Sequence, residues 1–324
     1  MDTTLLVVLS DSFDPYYNLA LEEYLLQKTP EQGAILYLWQ NDHTVVIGRN
    51  QNPWAECRTS LLEEEGGHLA RRLSGGGAVY HDSGNLNFTF LCNEPCYDLQ
   101  KQLSVIRTAV KYAGIDAYFS GRNDLLADGR KFSGNAFYHS QGKAYHHGTL
   151  LIHTDGERMQ RYLSPPKAKL ESKGIASVRS RVVNLKELSP ALTCDTMKEF
   201  MIKAFQECYG GSAGMLTLTD GDKQKIRSLR QRYAGEEWLY GKPMPFSCTL
   251  EGQLPFGHLQ LCLSVEGGVI SSMQAYTDAM DADLPQRLQA VLIGCPFRED
   301  AMRQAVLSLD NGAALAEFIH NQQI

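Results

Sequence analysis

The chain has 324 residues, 43% hydrophobic and 21% charged, an ordinary composition for one or two globular domains with a sizeable core. A formal net charge of −6 argues against a general nucleic-acid binder. No apolar run reaches the ~18 residues of a membrane span, and Met1-Asp2-Thr3-Thr4 lacks a basic signal-peptide start, so a cytoplasmic protein is expected.

Leu5 to Leu9 reads as a short buried strand. Asp14 and Pro15 then make a helix start, the acid at N-cap and the proline at N1, for a helix to about Gln27. Ile35–Trp39 and Thr44–Ile47 read as strands of a hairpin turning at Asn41-Asp42. Pro53 to Glu65 is expected as one helix ended by Gly66-Gly67, and His68 to Arg72 as a strand. Leu86 to Leu91 alternates, Leu86, Phe88 and Phe90 against Asn85, Asn87 and Thr89, which predicts a strand with one buried face. Leu99 to Ala113 has helical spacing, Asp116–Ser120 and Lys143–Ile152 read as strands, and Gly156–Leu163 begins helical before Pro165-Pro166 stops it. Helices are expected at Cys194–Tyr209 and Asp222–Tyr233.

Gly241-Lys242-Pro243-Met244-Pro245 resists periodic structure and reads as a linker, dividing residues 1–243 from 246–324. Beyond it His258–Val265 alternates, Gly267-Gly268 turns and Val269 starts a returning strand; helices follow at Leu284–Leu292, Pro296–Leu309 and Ala313–His320. This small α+β module has few convergent polar groups and is expected to be a packing or lid domain. The eight cysteines form no C-x-x-C pair, which suits a reducing compartment and argues against zinc. From Arg158 to Lys186 eight basic residues face Glu171 alone, which is either a solvated surface or a platform for a polyphosphate or an acidic protein.

The centre of the chain is Arg71-Arg72-Leu73-Ser74-Gly75-Gly76-Gly77-Ala78-Val79-Tyr80-His81. A bare loop rich in N–H groups beside two guanidiniums suits a phosphate or carboxylate, although a triple glycine alone also fits a tight turn. It matches neither the dinucleotide nor the P-loop signature. Two further segments carry polar groups at strand and turn positions: Ser120–Asp124 with Asp128–Phe137, and His146-His147-Gly148-Thr149-Leu150-Leu151. Adjacent histidines on a strand point to opposite faces, so one of His146 and His147 at most can face a site. A catalytic role for either, or for His81, is not favoured.

These blocks resemble the motifs of lipoate–protein ligase A: R-R-x-S-G-G-G-A-V-x-H-D-x-G-N, then G-R-N-D with G-R-K-x-S-G, then H-H-G-T-L-L. The resemblance starts at Asp11, takes in Thr44–Arg49 and Lys173–Arg181, reaches about residue 240 and continues more loosely to the end. It implies an α+β fold, a large mixed-sheet catalytic domain of the biotin/lipoate ligase type plus a small α+β C-terminal domain. It implies an ATP-dependent ligase that activates lipoate, and octanoate too, as an acyl-adenylate and passes the acyl group to a lysine. Acceptors would be lipoyl domains of 2-oxoacid dehydrogenase complexes and the glycine cleavage H protein.

By the same resemblance Arg72, Gly77, Ala78, Val79 and Tyr80 contact ATP and the adenylate, with Asn123 beside them. Lys131 contacts both acyl group and phosphate, with Trp39 and His147 also at lipoate; His147 would orient neighbours. Chemically, a lysine there can offset the repulsion of two approaching anions, although its local sequence alone favours a solvated surface lysine. Asp124 is a candidate Mg²⁺ ligand or an ordinary turn residue. An apolar slot for the acyl chain could draw on Trp39, Phe88, Leu19 and Val79, each equally explained as core. Two rivals remain, an acyltransferase working through a cysteine thioester and a non-catalytic binding protein. The thioester route is disfavoured because no cysteine lies between Cys96 and Cys194.

Overall fold

The computed structural model describes residues 3–120, 124–163, 182–240 and 248–322. Its first strands are β1 (Thr4–Leu9), β2 (Gly33–Trp39), β3 (Thr44–Ile47), β4 (His68–Arg71), β5 (Val79–His81) and β6 (Asn85–Asn93). There follow β7 (Ala117–Ser120), β8 (Asp124–Ala127), β9 (Arg130–Ser140), β10 (Lys143–Leu151) and β11 (Ala213–Met215). Eight of them make one mixed sheet in the order β11-β1-β2-β6-β10-β9-β8-β7. β1 pairs in parallel with β2 and β11, and the other neighbours are antiparallel.

Both faces of this sheet are covered. Leu36, Leu38, Phe88 and Phe90 pack under α4 (Leu99–Tyr112) and the helix Cys194–Tyr209. Ile35, Tyr37, Trp39 and Leu91 pack under α1 (Pro15–Leu26) and the helix Asp220–Tyr233. Burial of each large side chain contributes about 1.5–3 kcal/mol. α1 starts as expected, with the Asp14 carboxylate accepting from the amides of Tyr16 and Tyr17. β6 differs from expectation. Its polar residues, Asn85, Asn87 and Thr89, are also buried, and the Thr89 hydroxyl donates to Glu22 of α1.

The expected hairpin of β2 and β3 does not form. β3 leaves the large sheet and joins a second one in the order β4-β3-β5, parallel to β4 and antiparallel to β5. The segment between them starts buried and then reaches the surface: Asn41 is buried and held by the Asn18 amide, Asp42 is exposed, and His43 takes a φ of 40°. The expected helix Pro53–Glu65 is two helices, α2 (Pro53–Glu56) and α3 (Thr59–Glu64). Cys57 breaks it, extended and bridged to Leu163.

A separate three-stranded sheet, β12 (Cys248–Leu254), β13 (Gly257–Glu266) and β14 (Val269–Thr277), carries the helices Leu284–Leu292, Glu299–Val306 and Gly312–His320 on its own core. The linker read at 241–245 lies outside the described residues, as do Asn123, Pro165-Pro166 and most of the basic stretch. The C-terminal unit touches the glycine loop, Gly76 N donating to Ala279 O at 3.1 Å, and the segment after β3, Thr277 N donating to Asn50 O at 2.9 Å. A Cβ at Gly75 would meet Ala279 O at 2.2 Å. Gly75→Ala is therefore expected to push this unit off the loop while both cores stay folded. Limited proteolysis should then cut faster between the units; unchanged cleavage would disprove the contact's importance.

Candidate functional site

A cavity of about 570 Å³ opens where the two sheets and the C-terminal unit meet. The glycine loop, which joins β4 to β5 past the end of β3, forms one wall through Gly76, Gly77, Ala78 and Val79. β9 and β10 form another through Lys131, Gly134, His147 and Thr149. Leu19, Trp39 and Val46 make an apolar end, and Phe256, Asp278 and Met280 close it from the C-terminal unit. The small module is thus a wall of the site, which its sequence did not announce.

The two arginines before the loop are buried, not a surface pair. Arg71 donates to the carbonyls of Gly48, Arg49, Gln51, Trp238 and Leu239. Arg72 lies inside the loop, donating to Gly75 O at 2.7 Å, Gly77 O at 2.8 Å, Val46 O at 3.2 Å and Ser74 Oγ at 3.1 Å. Burial lowers its pKa to about 10, which leaves it charged at neutral pH. In a trans peptide the carbonyl and the next N–H point opposite ways. Drawing the carbonyls of Gly75 and Gly77 inward therefore turns the amides of Gly76 and Ala78 away from the guanidinium. Arg72 thus orders the glycine run, in which the Gly76 amide is taken up by Ala279 O.

Lys131 stands across the cavity, its Nζ 2.7 Å from Asp124 Oδ1, and about a third of each side chain is exposed. A β-bulge in the β8–β9 pairing, between Leu125 and Leu126, falls beside Lys131. Phe132 points the other way into the core. The bare Gly134 leaves room for the ammonium group, since a Cβ there would lie 3.1 Å from it.

Trp39, His147, Gly77, Ala78 and Val79 all line the cavity, with Leu19. Tyr80 does not: its ring turns into the core of the small sheet, 5.7 Å from Tyr162. Phe88 is not part of the slot either, because it packs on the opposite face of the large sheet with Phe90. His146 points to that same face, between Gln102 and Asn135. Sequence reasoning passed over Asn87 on the wall and Glu22 behind it. A glutamate amid Leu19-Ala20-Leu21 on a buried helix face was the available signal for Glu22.

His81 also lines the cavity. The Asn18 amide fixes Asn41 so that Asn41 Nδ2 donates to His81 Nδ1 at 3.2 Å, which puts the proton of His81 on Nε2. Burial, aided by the charge of Arg72, holds this pKa down to about 3, and burial does the same to His146. Both lie below the ordinary value near 6.5, so the unfolded chain binds protons that the fold refuses. Their stability contribution is present above pH 6.5 and lost as pH falls toward 3. Unfolding free energy is expected to drop on the order of 4 kcal/mol between pH 7 and pH 5, read by urea denaturation at each pH. A flat profile would show that both histidines take up protons in the folded state.

None of the eight cysteines lines the cavity. Burial pushes the thiols of Cys57 and Cys92 up to about 12 and that of Cys194 to about 11, the opposite of an activated nucleophile.

Residues 14–206 match the family model of the lipoyl protein ligase A/B catalytic domain, and residues 244–324 that of the bacterial lipoate protein ligase C-terminus. A lipoate-protein ligase A of Bdellovibrio bacteriovorus is 43% identical over 310 residues, covering 94% of this chain and 91% of that protein. Among solved structures, P. falciparum LipL1 in complex with lipoate superimposes with a TM-score of 0.85 at 28% identity, covering 98% of this chain and 99% of that one. A lipoate-protein ligase A bound with ATP gives 0.65 at 26% identity, covering 74% and 99%. An archaeal ligase described with its E2 lipoyl domain, from Thermoplasma acidophilum, gives 0.67 at 26%, covering 76% and 100%. With a lysine, a glycine loop and apolar side chains around one cavity, and both family models matched along its length, the chain belongs to the lipoate–protein ligase A family and is a ligase.

Proposed function

We propose that the protein activates lipoate, and octanoate as well, with ATP and transfers the acyl group to a lysine of lipoyl-domain proteins. Such an activity salvages free lipoate. The observation that carries this reading is the placement of Lys131 and the glycine-loop amides on facing walls of one cavity with an apolar end. The acyl chain would lie along Leu19, Trp39 and Val46, with its carboxylate toward Lys131. A carboxylate oxygen attacks the α-phosphorus, the bond to the β-phosphate oxygen breaks, and pyrophosphate leaves. Lys131 offsets the repulsion between the two anions as they approach. The amide of Ala78 and its neighbours hold phosphate oxygens, with Asn123 assigned beside them by the family pattern. In the second step the acceptor's lysine, as a free amine, attacks the acyl carbon. The C–O bond to AMP breaks, and a proton is lost from the nitrogen. No enzyme nucleophile is needed, in keeping with cysteines that stand away from the cavity.

Among the described residues no cluster of three or more His, Cys, Asp or Glu forms a metal cage. Mg²⁺ asks less than that, one or two carboxylates with substrate phosphates supplying other oxygens. Asp124, a hard oxygen donor on the cavity wall, fits that need. Bound there, the ion would neutralise phosphate charge. Residues 1–243 would be the catalytic domain and 246–324 an accessory domain, acting in the cytoplasm. Acceptors would be the lipoyl domains of 2-oxoacid dehydrogenase complexes and the glycine cleavage H protein.

The test is ATP–pyrophosphate exchange, expected only when lipoate or octanoate is present, followed by a lipoyl mass gain on an added lipoyl domain. Acyl transfer from a carrier protein without ATP would favour the transferase. Binding of lipoate with no exchange would favour the non-catalytic reading.

A further inference from the structure

A buried chain of hydrogen bonds runs from behind the acyl slot to the glycine loop. Glu22 Oε1 lies 2.8 Å from His147 Nδ1 and accepts from the Thr89 hydroxyl at 2.7 Å. His147 Nε2 lies 2.8 Å from Ser74 Oγ, and Ser74 Oγ accepts from Arg72 Nε at 3.1 Å. Glu22 is 1% exposed, Ser74 0% and His147 6%. The proton positions follow from donor and acceptor needs. The Glu22 carboxylate can only accept, so Nδ1 of His147 carries the proton. With a neutral imidazole, Nε2 accepts from the Ser74 hydroxyl, and a Ser74 lone pair takes the N–H of Arg72. Each link has one donor and one acceptor. The two ends carry opposite charges, and the field of Glu22 works against the burial that lowers the pKa of Arg72.

The order serine, histidine, acid is that of a nucleophilic triad. Ser74, however, does not line the cavity, and Arg72 occupies its oxygen. Nucleophilic attack from Ser74 is excluded by that geometry. What the chain reaches instead is the first residue of the loop, whose carbonyl also holds Arg49 N at 2.9 Å, and the guanidinium that turns the loop carbonyls inward.

We propose that Glu22 is a positioning residue for the adenylation step. Acting through His147 and Ser74, it fixes Arg72 and so aims the glycine-loop amides at the phosphate-bearing reactant. His147, which faces the cavity on the way, joins the acyl slot to the phosphate cradle. Glu22 itself lies off the cavity wall and touches neither reactant. The inference rests on the adenylate-forming reading given above.

The test compares Glu22→Gln, Ser74→Ala and the double variant of the full chain by lipoate-dependent pyrophosphate exchange. Each single change is expected to lower kcat about tenfold and to raise KM for ATP more than KM for lipoate. The double variant should lose no more than either single one, because both cut one chain. Losses that multiply to about a hundredfold, or a Glu22→Gln enzyme with unchanged exchange, would overturn the proposal. The wild-type protein supplies a measurement that needs no variant to fold. In ¹⁵N-histidine-labelled protein, His147 should be protonated at Nδ1 and bare at Nε2, and the opposite tautomer would overturn the network. A wild-type enzyme without exchange would refute the ligase reading instead, and the tautomer would still judge the network.

Discussion

Lys131→Ala is expected to lower lipoate-dependent ATP–pyrophosphate exchange by about 1,000-fold or more while leaving the fold intact. The reason is the difference between what Lys131 does in the resting protein and in the reaction. At rest its ammonium pairs with Asp124 at 2.7 Å, with side chains 36% and 38% exposed. A pair so accessible to water contributes at most about 1 kcal/mol to stability. In the proposed adenylation two anions meet inside the cavity, and a fixed cation between them is worth several kcal/mol of barrier. Lys131→Arg keeps the charge but replaces a compact ammonium with a planar fork too large for the space over Gly134, so it should rescue little. Exchange at the wild-type rate in Lys131→Ala, with the denaturation midpoint unchanged, would remove Lys131 from the mechanism.

Arg72→Met should behave in the contrary way, losing stability and activity together. The change strands the carbonyls of Gly75, Gly77 and Val46 inside the protein. Each buried carbonyl left without a donor costs about 1–3 kcal/mol. The loop amides would then lose their fixed direction, and exchange should fall below detection even at temperatures where the variant is folded. Arg71→Met is the informative comparison. It also removes a buried guanidinium, but one that ties Gly48 to Gln51 and Trp238 to Leu239, not the loop itself. Its stability should drop comparably with a smaller loss of exchange per folded molecule. Urea denaturation and exchange on the same preparations separate the two, and an Arg72→Met protein as stable as wild type would refute the role given to Arg72.

Local chemistry wrote much of this protein legibly. The Asp14-Pro15 helix start, the alternation of β6 and the spacing of α4 could be read because capping and periodicity are properties of neighbouring residues. The glycine run, the G-R-K-F-S-G segment and the H-H-G-T strand could be picked out as belonging to one family pattern. Which strand joins which sheet could not be read. β2 and β3 sit a turn apart, as hairpin partners do, yet they join different sheets, the chain between them pinned at the buried Asn41. The polar face of β6 looked solvated because alternation reports a change of polarity and not the identity of what lies opposite.

The sequence by itself settled the chemical inventory: a triple glycine with two arginines before it, a lysine between glycines, and eight cysteines far from that lysine along the chain. The tertiary structure decided which way each group faces. It placed Arg72 inside the loop, set Lys131 across a cavity from it, moved Phe88 to the far side of the sheet, and brought Glu22 within reach of His147. Such placements depend on contacts between residues distant in the chain, where burial and the pairing of polar groups outweigh any preference a segment carries alone.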